Sequence, residues 1–333
     1  MGAVDVQANN DFSKGKVSGN ILRLAMPMVL AQLVNVLYNI VDRMYIGHIP
    51  EASVNALTGV GLTFPILLIV TAFANLFGTG GTPLFSMARG AAKNEQGDTQ
   101  RKRAAAVMNN TFAMLVLTGV VLTVLVLLVK RPVLYLFGAS NITYPYADSY
   151  ISIYMLGSVF VMISLGMNGF INAQGFANKG MLTVLIGAVI NIALDPIFIF
   201  VLHMGVRGAA LATVLSQFVS AMWVIRFLTG RKTLFKLDFK HMRLQFKLIR
   251  EIVSLGIAGF IMGFTTSAVQ IAANAMLSQF GGDLFVGVNG VFLAEAISNF
   301  VGGGACYITM LCTVWRELKR KEKESKEKAA QSS

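Results

Sequence analysis

The sequence predicts an all-α polytopic membrane protein of about eight transmembrane helices, and three observations indicate this fold class. Of its 333 residues, 55% are hydrophobic and only 13% are charged, whereas about 25% of the residues in a soluble domain are charged. Long apolar runs recur along the whole chain, and about 20 apolar residues suffice to cross the hydrocarbon core of a bilayer. The basic residues are concentrated in a few polar stretches between these runs.

The distribution of basic residues predicts the orientation of the helices in the membrane. Of the 28 Lys and Arg residues, 24 lie in the N-terminal segment, in the stretches 89–103 and 226–250, at Lys179, or in the tail that starts at Arg316. The remaining four are expected on the opposite side: Arg43, Lys130, Arg131 and Arg207. Because cytoplasmic loops carry the excess of Lys and Arg, both termini are expected in the cytoplasm. The net charge of +12 therefore needs no nucleic-acid partner.

Polar and turn-forming stretches separate eight apolar segments, and each segment is predicted to form one helix. The segments span about 21–46, 56–77, 104–129, 148–171, 181–202, 208–227, 252–279 and 286–314. The second helix is expected to end in the Gly-rich stretch 78–83, and these glycines indicate either close helix packing or a helix break. The outer loop 130–147 contains several turn-forming Gly, Pro and Asn residues.

The same boundaries divide the chain into four parts. Residues 1–228 are predicted as a six-helix transmembrane lobe, residues 251–315 as a two-helix transmembrane unit, and residues 316–333 as a charged cytoplasmic tail. The linker 229–250 interleaves Leu and Phe with basic residues. This pattern is typical of an amphipathic helix that lies on the membrane surface and contacts anionic lipid.

One stretch, GAVINIALDPIFIF, is apolar enough for lipid but contains three residues that do not suit a plain membrane helix. Asn191 and Asp195 are four residues apart and share one helix face. Pro196 lacks an N–H and leaves the carbonyl of Ile192 without its helical partner. These oxygens suit a hard cation or a proton, and an ionisable residue inside a membrane is a functional-site hypothesis by default. The alternatives are an aspartate that reaches the surface or one that only pairs two helices.

The first helix carries a polar stripe at spacings of three, four and three residues: Gln32, Asn35, Asn39 and Asp42. The stripe indicates either a lined cavity or hydrogen bonding between helices, since lipid offers it no partner. At a rise of 1.5 Å per residue, Asp42, Asp195 and Thr213 lie about 28, 24 and 21 Å above the inner surface. Three polar groups on three helices are thus predicted at nearly one level.

Several stretches resemble the multidrug and toxic compound extrusion (MATE) transporters of the bacterial DinF/MepA-like branch. They cover the first six helices in order: LAMPMVLAQLVNVLYNIVDRMYIGHIP, LTGVGLTFPILLIVTAFANLFGTGG, INAQGFANKGM, INIALDPIFIF and GVRGAALATVLSQ. The resemblance implies a cation site in the N-terminal lobe, made by Asp42, Asn191, Asp195 and Thr213. It further implies export of small cationic amphipathic compounds across the bacterial plasma membrane, driven by entry of Na⁺ or H⁺, with no other cofactor.

The resemblance also includes a departure, because MATE transporters have two six-helix lobes. The segment after Leu284 is similar to the last helix of that family, so we expect about four helices of the second lobe to be missing, with a junction near Leu284. Two helices cannot close a lobe, and their polar residues would face lipid unless covered. We therefore expect self-association through the last two helices. The candidate residues for the substrate path are Gln32, Asn35, Asn39, Gln270, Asn274 and Glu295.

Other functions remain as alternatives to the antiporter. A non-transporting shortened remnant is one. A lipid-linked precursor flippase of the same superfamily is another, although its cavity is expected to be basic to hold pyrophosphate, whereas the buried charges here are Asp42, Asp195 and Glu295. An intramembrane enzyme is not expected, because the three histidines, His48, His203 and His241, lie at helix edges or in loops.

The predicted topology can be tested by cysteine labelling after Cys306 and Cys312 are replaced by Ser. We expect an impermeant thiol reagent, applied to intact cells, to label Ser53→Cys in the first outer loop and to leave Ser325→Cys unlabelled until the membrane is opened, because 24 of the 28 basic residues favour the cytoplasm. The reverse pattern of labelling would invert the assignment.

Overall fold

The computed structural model describes residues 17–49, 53–92, 97–230, 233–239 and 244–285, with side chains described except at 17–24, 53, 97 and 273–285. Nine α-helices and one π-helical turn form this part of the chain. They are α1 (Val17–Gly47), α2 (Ser53–Gly61), α3 (Phe64–Ala91), α4 (Gly97–Leu136), α5 (Tyr144–Leu156), α6 (Ser158–Ala173), α7 (Ala177–Pro196), the π-helical turn (Ile197–Val201), α8 (Val206–Thr229) and α9 (Phe246–Phe285).

These helices confirm the predicted fold class, an all-α polytopic membrane protein. Six spans in the described part are long and apolar enough to cross a membrane, and there are seven if α5 and α6 are counted as one bent span. In chain order they match the first seven predicted helices, with α2 and α3 together forming the second. The eighth predicted helix, 286–314, and the tail 316–333 lie outside the described residues.

The fourth predicted helix is bent and not straight. The axes of α5 and α6 differ by 56° at a break next to Gly157. A Cβ on Gly157 would lie 2.5 Å from Cγ2 of Val214 in α8, so only glycine lets the two helices approach this closely. The hydroxyl of Thr123 in α4 donates to the carbonyl of Met155 at 2.7 Å, next to the break. The bend is therefore held by neighbouring helices.

The Gly-rich stretch 78–83 does not end the second span, because α3 continues through it to Ala91. Its glycines instead form the closest contact with α9. A Cβ on Gly80 would overlap the carbonyl oxygen of Ile252, and one on Gly256 would overlap that of Leu76. Small residues in membrane helices let backbones approach in this way and gain van der Waals contact.

The contact between α3 and α9 extends along both helices. A Cβ on Gly263 would lie 2.9 Å from Cβ of Ala72, and Ser267 Oγ donates to the carbonyl of Pro65 at 2.9 Å. Because Pro65 lies near the N-terminal end of α3 and Gly80 lies 15 residues further along it, α9 is held against the first six spans over much of its length.

The linker differs from the predicted amphipathic helix, because residues 233–239 are not helical. Thr233 and Leu237 are buried. The side-chain oxygen of Gln174, at the turn after α6, accepts hydrogen bonds from the Thr233 hydroxyl at 3.1 Å and from the Phe235 N–H at 3.0 Å. Hydrogen bonds to distant side chains, which a local pattern cannot predict, thus replace helical ones.

Two phenylalanines and an asparagine complete the attachment of the linker to the helices. The Phe235 ring packs edge-on against Phe85 at 5.2 Å, and the Phe239 ring packs against Phe112 at 5.5 Å. The Asn109 side-chain oxygen accepts the N–H of Asp238 at 3.2 Å. The apolar residues of this segment therefore contact α3 and α4, which is a different environment from the lipid surface that its composition indicates.

Replacing Gly256 by Ala should destabilise the protein, since the added Cβ would overlap the Leu76 carbonyl. Overpacking of this kind typically costs about 1–3 kcal/mol. Gly90→Ala in α3 is the matched control, because no atom lies within 4 Å of its Cβ position. Thermal unfolding in detergent compares the two. Equal melting temperatures would mean that the α3–α9 contact contributes nothing to stability.

Candidate functional site

The structure brings together the four residues that the sequence singles out as a cation site. Asp42 lies in α1, Asn191 and Asp195 lie in α7, and Thr213 lies in α8. The amide Nδ2 of Asn191 approaches Asp195 Oδ1 at 3.4 Å and Thr213 Oγ1 at 3.5 Å. The Asp42 and Asp195 carboxyls lie within hydrogen-bonding reach of each other. The near-equal depths predicted from helix rise are thus matched by contact.

Two of the four residues are fully buried, and the site contains oxygens that lack partners. Asn191 and Asp195 are 1% and 0% exposed. Within the described part of the chain, Asp42 Oδ1, Asn191 Oδ1 and Asp195 Oδ2 are buried without a hydrogen-bond donor. Buried polar atoms almost always have a partner, because leaving one unpaired costs free energy. Three orphan acceptors in one place therefore indicate that a proton, a cation or water completes the site.

Among the described residues, the charges in the site do not balance. Arg43 follows Asp42 in α1 and interacts with its carboxyl electrostatically. The Arg43 guanidinium also lies 4.6 Å above the ring of Phe64, at the start of α3. One guanidinium compensates one carboxylate, whereas two carboxyls face each other here. One further positive charge, either a proton or a monovalent cation, would neutralise the group.

Three tyrosines that were not predicted as site residues from the sequence lie around the carboxyls. Tyr150 and Tyr154 in α5 stack with ring centroids 6.1 Å apart, and both are at least 95% buried. Tyr150 lies beside the side chain of Thr213, and Tyr38 in α1 lies beside that of Asn39. The signal available in the sequence was two tyrosines four residues apart in an apolar segment, which place two rings on one helix face.

A change of helix geometry lies directly beside Asp195. The α-helix α7 ends at Pro196 and continues as the π-helical turn Ile197–Val201, where the N–H of Leu202 bonds the carbonyl of Ile197 at 2.9 Å. Proline and π-helical turns are common causes of helix distortion, and π-helical turns are frequent at functional sites. The proline signal in the sequence thus marks a real distortion of the helix.

The residues predicted for the substrate path do not form one group in the described part. Gln32 is exposed, whereas Asn35 and Asn39 are half-buried, and the Asn39 amide donates to the Asn35 carbonyl at 2.6 Å. Gln270 is buried in α9 at 4% exposure, and α9 packs chiefly against α3 and not against α1. The side chain of Asn274 and the whole of Glu295 lie outside the described residues.

Comparisons with known proteins agree with this architecture. The sequence profile of the MatE family matches residues 27–197, which is more than half of the chain. The multidrug export protein MepA of Staphylococcus haemolyticus is 28% identical over 270 residues, and that of Staphylococcus aureus is 25% identical over 274 residues. Each match covers 81% of this chain and 58% of the relative. The chain thus spans little more than half the length of these relatives.

Solved structures of transporters share the fold. The MATE multidrug transporter DinF-BH, solved as a complex, is 30% identical, with a TM-score of 0.75, and the match covers 85% of this chain and 62% of that one. An outward-facing multidrug resistance MATE family transporter of the MOP superfamily is 26% identical, with a TM-score of 0.71 and coverage of 91% and 66%. The chain therefore belongs to the MatE family of membrane transporters, on its DinF/MepA-like branch.

Proposed function

We propose that the chain acts as a cation-coupled antiporter that exports small cationic amphipathic drugs, with Asp42, Asn191, Asp195 and Thr213 binding the coupling Na⁺ or H⁺. The observation that carries this proposal is the pair of facing carboxyls with orphan oxygens in a buried site. Na⁺ prefers oxygen ligands, and a proton needs only one of the two carboxylates. The proposed location is the bacterial plasma membrane, with both termini in the cytoplasm.

The coupling follows from the placement of the carboxyls on two helices. Asp42 is carried by α1 and Asp195 by α7, and α1 packs chiefly against α7. A cation between the carboxyls attracts both and favours close packing of α1 on α7. Once the cation leaves, the two negative charges repel each other and favour their separation. A ligand shifts an equilibrium only through its different affinity for two states, and this site supplies that difference.

The charge of the site also bears on the substrate class. Acidic side chains surrounded by aromatic rings favour organic cations, since rings attract cations through their π-systems. The relatives named above are multidrug export proteins and multidrug transporters. A flippase for pyrophosphate-linked lipids would instead need basic residues in its cavity. The chemistry of the site therefore favours drug export over lipid transfer.

Asp195→Asn tests the role of the site, because it removes one carboxyl charge and nearly preserves the shape of the side chain. In the unmodified chain, we expect added Na⁺ or a change of pH to shift the melting temperature. In Asp195→Asn this shift should largely disappear, since the cation no longer balances a pair of charges. Thermal unfolding of purified protein across a series of Na⁺ concentrations and pH values measures it.

The matched control is Asp148→Asn in α5. Asp148 also lies on a membrane helix, but its carboxylate pairs with Lys130 Nζ at 2.7 Å near the outer surface. Its substitution should leave the cation-dependent shift intact. If Asp195→Asn shows the same cation and pH dependence as the unmodified chain, Asp195 is not part of the coupling site.

A second candidate function is a form that binds the cation but does not transport alone. The observation that favours it is the partial length of the match, because this chain covers only 58% to 66% of the length of the relatives above. Alternating access in transporters of this kind needs one bundle to rock against another. A second copy of the chain is the proposed source of the missing surface, through α9 and the segment that follows it.

Self-association of this kind predicts cross-linking through the last predicted helix. With Cys306 and Cys312 replaced by Ser, Ala294→Cys should form a disulfide between two copies in native membranes, whereas Val54→Cys, at the outer end of α2, should not. Export of a cationic dye is then measured in proteoliposomes at low and high protein density. Export by a chain shown to be monomeric would exclude this second candidate.

A further inference from the structure

The buried face of α7 is unusual for a membrane helix, because none of its residues is large and apolar. It runs from Ala177 and Gly180 at the cytoplasmic end to Asn191 and Asp195 near the other end, with Thr183 between them. Most interior positions of the neighbouring helix α6 carry Val, Ile, Met or Phe. The term polar seam is used here for this face of α7 and the polar side chains next to it. These side chains are Ser164, Asn168 and Asn172 of α6 and Gln217 and Ser220 of α8.

Polar groups continue along the seam below the carboxyl pair. The Ser220 hydroxyl of α8 donates to the Thr183 carbonyl at 3.2 Å, and a Cβ on Gly187 would lie 2.6 Å from this hydroxyl. At the middle of the membrane, Ser164 of α6 donates to Gln217 Oε1 of α8 at 2.6 Å. Polar contacts therefore reach from the site down towards the cytoplasmic half of the bundle.

Two asparagines of α6 form the lower end of the seam. Asn168 and Asn172 are four residues apart, and both side chains face Gly180 of α7. A Cβ on Gly180 would overlap Oδ1 of Asn172 and would lie 3.1 Å from Oδ1 of Asn168. Both Oδ1 atoms are buried without a donor in the part of the chain that the structure describes. We call these two residues the inner pair.

Close helix packing explains the glycines of the seam but not the inner pair. Alanine at positions 168 and 172 would pack against Gly180 without leaving a buried oxygen unpaired, and each unpaired group costs about 1–3 kcal/mol. The carboxyl pair at the other end of the seam shows the same feature in Asp195 Oδ2 and Asn191 Oδ1. Buried oxygens without a donor at both ends of the polar seam indicate that the same ligand binds at both ends. This ligand is either a hydrogen-bond donor or a cation.

We propose that the inner pair is a second, transient site for the coupling cation, and that the seam connects it to the carboxyl pair. This inference rests on the proposed function. Gly180 is 15 residues from Asp195, which is about 22 Å along the helix at 1.5 Å per residue. Amide oxygens without a formal charge bind Na⁺ or hydronium weakly, and conduction needs sites that are weak enough to leave.

The consequence is that the cation reaches the cytoplasm within the first six spans, and not only through the space between two lobes. In this pathway the Ser164–Gln217 hydrogen bond separates the two sites and exchanges its partners as the cation passes. Drug and cation would then use different routes on the cytoplasmic side. Such separation keeps a bulky cationic drug from blocking the return of the ion.

The test compares the rate of cation exchange with equilibrium binding. The full chain is reconstituted in proteoliposomes with its cytoplasmic face outward, and loss of bound radioactive Na⁺ is timed after dilution into unlabelled Na⁺. Proton release, followed with a water-soluble pH dye in sodium-free buffer, is timed in the same way. The double variant Asn168→Leu and Asn172→Leu should slow exchange by at least about tenfold while equilibrium binding changes less than about threefold.

Two further variants control for packing and for the oxygen. Leu165→Ala, in the same helix but exposed towards lipid, should exchange at the normal rate. Asn168→Ser together with Asn172→Ser keeps an oxygen at each position and should restore most of the rate. If the double Leu variant does not fold, Gly187→Ala narrows the middle of the seam and should slow exchange in its place.

The outcomes separate this inference from the proposed function. If the unmodified chain binds neither Na⁺ nor a releasable proton, both fail. If binding occurs and depends on Asp195, but the double Leu variant and Gly187→Ala exchange as fast as the unmodified chain, the seam is not the route and only the further inference fails. Slow exchange with intact equilibrium binding supports both.

Discussion

The contact between Asp42 and Asp195 is the constraint on which the rest of the site depends. Two unit charges about 4 Å apart repel each other by about 4 kcal/mol at an effective dielectric constant of 20. Each carboxylate also loses its hydration inside an apolar bundle. Two bare anions in contact would therefore be unstable, and Arg43 compensates only one of the two charges. In the proposed function, this charge imbalance links the occupancy of the site to the packing of α1 against α7.

The residues around Asp42 and Asp195 suit the proposed dependence of helix packing on cation binding. The Asn191 amide and the hydroxyls of Thr213 and Tyr150 place polar atoms around the carboxyls without adding charge. The π-helical turn after Pro196 loosens the helix beside Asp195. Arg43 supplies one fixed positive charge to the two carboxyls. In the proposed function the second positive charge is a mobile cation, so its binding and release decide the state of the site.

Several features were predictable because the energetic cost of charge in lipid is large. Asp42 and Asp195 stand out in any apolar segment, and helix rise is regular enough to predict their common depth. The tyrosines were not predictable in this way, since Tyr150 and Tyr154 are ordinary residues of membrane proteins until α5 bends. That bend depends on Gly157 contacting Val214, a contact between residues 57 positions apart. Likewise, Gln174 determines the conformation of the linker from a distance in sequence.

The linker and α9 are packed on the first six spans, so the boundary between lobes does not lie at the linker. The sequence predicts the boundary at residues 229–250, but there the linker is attached to α3 and α4 through Phe235 and Phe239. The following helix α9 is then packed on α3 through Gly80 and Gly256. A helix with backbone contacts this close cannot slide along its neighbour without losing them. In the conformation described here, α9 therefore moves with the first six spans. Any rocking motion would separate this seven-span body from what lies beyond α9, and the proposed cation site would move as part of the seven-span body.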